Sequence, residues 1–192
     1  MYIHKNGLKL SKITQIDLSC LKMLKDESWF GTHHIAIVNM EDQQKWFDNL
    51  DSNKTLILSV IFESKIIGYY KLFNIDWINR KYDMSYDVME YYRGKGFSYK
   101  ILEAGVDFTF ELLNMNRIDT EVLENNLASQ KSLKKIGFVE EGKKREAVIR
   151  CNKKIDSIVM GLLHSDWSLS ERVVKSGEEP LNKSYKPKND LK

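Results

Sequence analysis

The residues with the most chemical content in this 192-residue chain form one short run, Arg93-Gly94-Lys95-Gly96-Phe97-Ser98. Glycines two apart let a backbone turn sharply and come close to a ligand. Upstream, residues 81–89 alternate as a strand, with Met84, Tyr86 and Val88 on one side and Asp83, Ser85 and Asp87 on the other. Downstream, Leu102, Val106, Phe110 and Leu113 form the apolar stripe of a helix over about residues 96–113. The glycine turn therefore joins a strand to a helix start. A helix start exposes unpaired N–H groups and the positive end of the dipole, and both favour an anion. Arg93 and Lys95 add positive charge, so the expected chemistry is the holding of a phosphate or pyrophosphate. Two phosphate signatures are excluded. The dinucleotide fingerprint needs a third glycine where Tyr99 stands, and the P-loop needs a lysine where Phe97 stands.

The elements that must position this turn alternate between strand and helix. Residues 7–14 alternate like a strand, and Asp17 is placed to cap a helix running to about Lys25. Residues 26–40 are expected to be loop. Glu41 and Asp42 open a second helix, with Trp46, Phe47 and Leu50 at helical spacing. Residues 55–63 and 65–75 are rich in β-branched and aromatic side chains, and Glu63-Ser64 between them makes a tight hairpin turn. After the central helix come a strand at Arg117–Leu123 and a helix at Leu127–Ile136. The strands Phe138–Ile149 and Ile155–Leu163 follow, joined by a turn at 151–154. The pattern is mixed α/β, an antiparallel meander followed by crossovers.

Composition bounds the function. With 30 Lys+Arg against 27 Asp+Glu the net charge is only +3, which argues against a nucleic-acid binder. Two cysteines, Cys20 and Cys151, exclude a disulfide scaffold and suit a reducing compartment. No apolar run reaches the length of a membrane span, so a cytoplasmic protein without membrane contact is expected. Both prolines, Pro180 and Pro187, lie in the polar C-terminal segment. The division expected is a domain over residues 1–168 and a tail over 169–192. His33 and His34 are adjacent, so their side chains diverge, and no cysteine or glutamate stands at ligand spacing. No metal is expected.

The Arg93–Ser98 run resembles the acyl-CoA loop of the GNAT N-acetyltransferase superfamily. That loop carries Arg or Gln, two residues, Gly, one residue, then Gly or Ala; Ser98 is a small variant at the last position. Asn126 and Ser129, followed by Gly137-Phe138, resemble the family's next block. Glu141, Gly142 and the later Asp156 resemble the closing strands of its RimJ/RimL branch. That branch holds ribosomal-protein N-terminal, spermidine and nucleotide-linked amino-sugar acetyltransferases. The resemblance implies a mixed, largely antiparallel sheet with a central splayed parallel strand pair, flanked by helices. It also allows a homodimer.

The resemblance further implies acetyl-CoA as cosubstrate. Its pantetheine arm would pair with the strand edge at Val88, Met89 and Glu90, and its pyrophosphate would sit on Gly94, Lys95, Gly96, Phe97 and Ser98 beside Arg93. The Val88 N–H would polarise the thioester carbonyl. A primary amine would attack directly, with no covalent enzyme intermediate. Asp83 is the candidate base or amine-binding group, its alternative a solvated strand carboxylate. Many family members carry an acidic tyrosine where this chain has Leu133. Ser129 is the candidate acid in its place, its alternative a simple hydrogen-bonding role. Asn126 would hold the cofactor arm or a water, its alternative a helix N-cap. Trp29, His33 and His34 would line the acceptor pocket. The first acceptor is a protein N-terminal amine, with an amino sugar or polyamine as alternatives. A non-catalytic CoA- or protein-binding module is the alternative of another class.

Overall fold

The computed structural model describes residues 1–28 and 39–167. The segment with Trp29, His33 and His34, and the tail expected over 169–192, lie outside the described residues. Eight strands form one sheet: β1 (Tyr2–Ile3), β2 (Lys9–Lys12), β3 (Leu56–Phe62), β4 (Lys65–Asp76), β5 (Lys81–Val88), β6 (Arg117–Leu123), β7 (Val139–Arg150) and β8 (Lys153–Leu163). Their spatial order is β1-β2-β3-β4-β5-β6-β8-β7. Every neighbouring pair is antiparallel except β5 and β6, which run parallel at the centre. This is the mixed sheet that the resemblance implies.

Four α-helices cover the sheet: α1 (Leu18–Ser28), α2 (Met40–Asp48), α3 (Phe97–Asp107) and α4 (Leu127–Ile136). The period of two along β5 sends Tyr82, Met84 and Val88 into the main core. There they meet Ile101, Leu102 and Val106 of α3 and Leu133 and Ile136 of α4. On the opposite face, Leu21 and Leu24 of α1 form a smaller core with Ile57 and Tyr69, against which Trp46 and Phe47 of α2 pack. A chain of buried hydroxyls crosses the main core. Tyr70 and Tyr82 meet at 2.8 Å, the Tyr82 hydroxyl donates to Thr109 Oγ1 at 2.9 Å, and Thr109 donates to the Val106 carbonyl at 3.0 Å.

The structure corrects several element boundaries. Asp17 does not cap a helix directly. Its carboxylate accepts the Thr14 N–H at 2.7 Å, closing a capping box around a 3₁₀ turn at Gln15–Asp17 that leads into α1. Helix α1 continues to Ser28, so residues 26–28 are helical rather than loop. The central helix is regular only to Asp107, and Phe108–Leu112 is a π-turn. The β7–β8 turn is two residues, Cys151 and Asn152, both with positive φ. The Glu63-Ser64 hairpin has the same form, φ 48° and 63°, without glycine.

One long-range clasp ties the N-terminus to the core. His4 Nε2 lies 2.6 Å from Asp107 Oδ2, and Trp167 Nε1 donates to Asp107 Oδ1 at 2.9 Å. The Asn6 N–H donates to His4 Nδ1 at 3.2 Å, so Nε2 is the nitrogen that donates to Asp107. All three side chains are buried. Replacing Asp107 by Ala leaves two buried donors without their acceptor. The expected cost is about 3 kcal/mol. It is read from the urea unfolding midpoint at unchanged slope, and a loss below about 1 kcal/mol would show that the clasp carries little of the stability.

Candidate active site

The site is built on a failure of pairing. β5 and β6 are in register only at Lys81–Arg117, Tyr82–Ile118 and Asp83–Asp119. Beyond that point the strands part. Each is held from its outer side, β5 by β4 as far as Val88 and β6 by β8 as far as Leu123. At the apex the Thr120 hydroxyl donates to the Met84 carbonyl at 3.0 Å and takes the place of a ladder bond. A groove of about 1550 Å³ follows, running through the gap onto the α1 face of the sheet.

Strand alternation decides which groups face the gap. The Met89 N–H turns inward to the Ile67 carbonyl at 2.9 Å. The N–H of Val88 therefore points the other way, toward the open edge. The Glu90 N–H is taken by Glu27 Oε2 at 3.0 Å. Of the three predicted edge residues, Val88 thus offers its amide to a ligand, while Met89 and Glu90 spend theirs within the chain.

Arg93 also differs from its expected use. Its Nε donates to the Val88 carbonyl at 2.9 Å and Nη1 reaches the Glu27 carbonyl at 3.4 Å. The guanidinium clamps the glycine turn to the end of β5 and to α1. Gly94 and Gly96 have φ of 71° and 81°, and a Cβ on either would meet nothing within 4 Å. These glycines are required by backbone conformation, and the space before them is clear for a ligand. Gly96 is the N-cap of α3, so the first-turn N–H groups from Phe97 onward face that space. Phe97 anchors the turn against Phe62 and Tyr92, with both ring centroids 5.2 Å away. Lys95 Nζ lies 3.7 Å from the centre of the Tyr91 ring. Ser98 lines the groove. The conformation, the clear space and the donor set together fit a pyrophosphate.

On the α4 side, Asn126 Oδ1 accepts the Ser129 N–H at 3.2 Å and caps the helix. The Tyr86 hydroxyl donates to Ser129 Oγ at 3.2 Å. Burial pushes the Tyr86 phenol above its usual range. Sequence reasoning missed Tyr86. Its only signal was its place two residues before Val88 on the face that turns toward α3 and α4.

On the α1 side, Asp83 stands at the apex, where its Oδ2 accepts the Asn74 amide at 2.7 Å. Two repeats of the pleat further on, Asp87 occupies a different setting. Gly68 lies opposite this stretch, and a Cβ there would come within 2.2 Å of the Asp87 carbonyl oxygen, so close approach of β4 requires glycine. Burial pushes the Asp87 carboxyl up to about 6, against the pull of Ser28, Arg93 and Lys25. Sequence reasoning noted Asp87 only as part of an alternating face.

Comparisons with known proteins bear on this geometry. The putative ribosomal N-acetyltransferase YdaF of Bacillus subtilis is 28% identical over 108 residues, 56% of this chain and 59% of that protein. The spermidine N(1)-acetyltransferase of Vibrio cholerae is 29% identical over 80 residues, 42% of this chain and 46% of that protein. The chain thus spans about half the length of these two relatives. Among solved structures, the Vibrio cholerae spermidine N-acetyltransferase in complex with CoA and spermine superposes with a TM-score of 0.77 at 22% identity. That match covers 83% of this chain and 97% of the other, a likeness of fold. A sequence profile described as an acetyltransferase (GNAT) domain matches residues 8–139, well over half of the chain, and the chain therefore belongs to the GNAT acetyltransferase family.

Proposed function

We propose that this chain is an acetyl-CoA-dependent N-acetyltransferase acting by direct attack of a primary amine, with a protein N-terminal α-amine as acceptor. The observation that carries the reading is the open edge of β5, where the Val88 N–H faces a groove that begins at the α3 N-terminus and ends beside Asp87. Bound acetyl-CoA supplies a thioester, whose carbon–sulfur bond breaks as a carbon–nitrogen bond to the amine forms. Phe97, Ser98 and the Gly94–Gly96 turn hold the pyrophosphate. The Val88 N–H donates to the carbonyl oxygen as negative charge develops on it. Asp87 takes the proton released by the amine, and Asp83, about 13 Å back along the strand at the apex, meets a more distant part of the acceptor. Ser129, with Tyr86 donating to it, returns a proton to the sulfur in this reading.

A matching of proton affinities supports the α-amine. An α-amino group has a pKa of about 8 and an alkyl amine about 10. Against a carboxylate titrating at about 6, proton transfer costs about 2.7 kcal/mol from the former and about 5.4 kcal/mol from the latter. The relative named as a putative ribosomal N-acetyltransferase supports the same acceptor. A polyamine is the second reading, favoured by the spermidine acetyltransferase among the relatives. Among the described residues, carboxylates and cations line the groove in equal number, five of each, so this lining carries no acidic excess toward a polycation.

Two outcomes are expected. Gly96→Val forces a branched residue into left-handed backbone and fills the cradle. It should weaken acetyl-CoA binding roughly tenfold or more by calorimetry, and unchanged affinity would remove the assignment of the loop. For the base, kcat/KM for a peptide amine should fall as pH drops through about 6, because protonated Asp87 cannot accept a proton. Asp87→Asn should abolish that acid limb and lower kcat by about a hundredfold, whereas Asp83→Asn should mainly raise the amine KM. An acid limb that persists in Asp87→Asn would transfer the role to another group.

A further inference from the structure

The acceptor half of the groove carries two ammonium groups that the transfer reaction does not use. Lys25 projects from α1 and Lys71 from β4, and both line the cavity together with Asp87. Among the described residues, neither has a carboxylate within 4.0 Å. What each touches is neutral. Lys25 Nζ lies 4.5 Å from the centre of the Trp46 ring and 3.3 Å from Gln43 Oε1, whereas Lys71 Nζ lies 5.0 Å from the Phe73 ring. Burial lowers the affinity of both for a proton, and the Lys71 charge lowers that of Lys25 further. Asp87 is felt by Lys25 but stands beyond ion-pair distance.

Two adjoining, half-buried cations facing a cavity are costly without a counter-charge. Two other cation sites on the sheet are met by carboxylates, Lys143 by Glu124 and Asp156 and Arg117 by Asp119 and Glu141, while strand lysines without one, such as Lys65 and Lys81, are exposed to water. The missing charge at Lys25 and Lys71 is the kind a ligand brings.

We infer that Lys25 and Lys71 form an anion-binding subsite, and that the acceptor bears a carboxylate or phosphate close to its reacting amine. For a peptide acceptor this is an Asp or Glu side chain within its first residues. The amine then lies toward Asp87 and the anion on the two ammoniums, which fixes the acceptor at both ends. The subsite selects against a polyamine, whose second charge would face two like charges. This inference rests on the acetyl-transfer reading for its choice of acceptor, but the anion site itself is separable from turnover.

The test uses matched amines with the full-length chain. A peptide beginning Ser-Asp-Glu is compared with one beginning Ser-Asn-Gln, 2-aminoethyl phosphate with ethanolamine, and all of them with spermidine. Thiol release from acetyl-CoA gives turnover, and calorimetry on the CoA-saturated protein gives binding. The anionic member of at least one pair should be favoured roughly tenfold or more, and the pair that shows it identifies the source of the anion. The double variant Lys25→Met/Lys71→Met should erase the preference, with CoA affinity reporting that the groove still folds. Equal use of both members of each pair, a preference for spermidine, absence of binding by every amine, or a preference that survives the double variant would each overturn the inference. Selective binding without turnover of any amine would remove the transfer reading and leave the anion site standing.

Discussion

From Met84 to Val88, strand β5 runs with a partner on one side only, and the rest of the site depends on that half-paired stretch. An open strand edge inside a sheet is unstable in principle, because its amides and carbonyls would gain by pairing with the next strand. Here each strand is instead held from its outer side, β6 by β8 along its whole length and β5 by β4. Two carbonyls on the gap side are already satisfied, Met84 by Thr120 and Val88 by Arg93. What remains for a ligand is the Val88 amide and, by the same alternation, the amide and carbonyl of Tyr86.

Arg93 links this edge to the anion cradle. Its guanidinium bridges the end of β5 and the last turn of α1, and so ties the glycine turn to both. A residue expected for its charge toward phosphate is thus engaged in holding geometry. Catalysis by positioning needs such rigidity, since a displacement of about 1 Å at the reacting atoms costs about a hundredfold in rate.

The fold and the glycine turn of the candidate cofactor site were largely legible in the sequence. The glycine turn is a local signal, since φ-positive glycines between a strand and a helix leave a mark within six residues. The meander and the Glu63-Ser64 hairpin were legible through the period of two. The acceptor half was not, because its properties arise between elements. Asp87 is one of three polar residues on an alternating face. Its distinct character comes from burial, with Ser28 and Lys25 of α1 and Arg93 around it. Lys25 and Lys71 are 46 positions apart, and nothing in either neighbourhood shows that they meet. The His4–Asp107 clasp is hidden for the same reason, and the π-turn after Asp107 sits inside a stripe that reads as continuous helix.

The remaining constraint is the amine's own proton. A carboxylate titrating at about 6 is a weak base toward an ammonium, so a neighbour that makes that ammonium a stronger acid would help. The like-charge repulsion that lowers the proton affinity of Lys25 would act on a third ammonium brought into the same space. An anion on the proposed acceptor offsets that repulsion and lets the molecule bind, but it also raises the proton affinity of the amine beside it. In the proposed site the contact that admits the acceptor therefore works against loss of its proton, and the buried Asp87 carboxylate, raised toward the amine's own range, is the group left to take it.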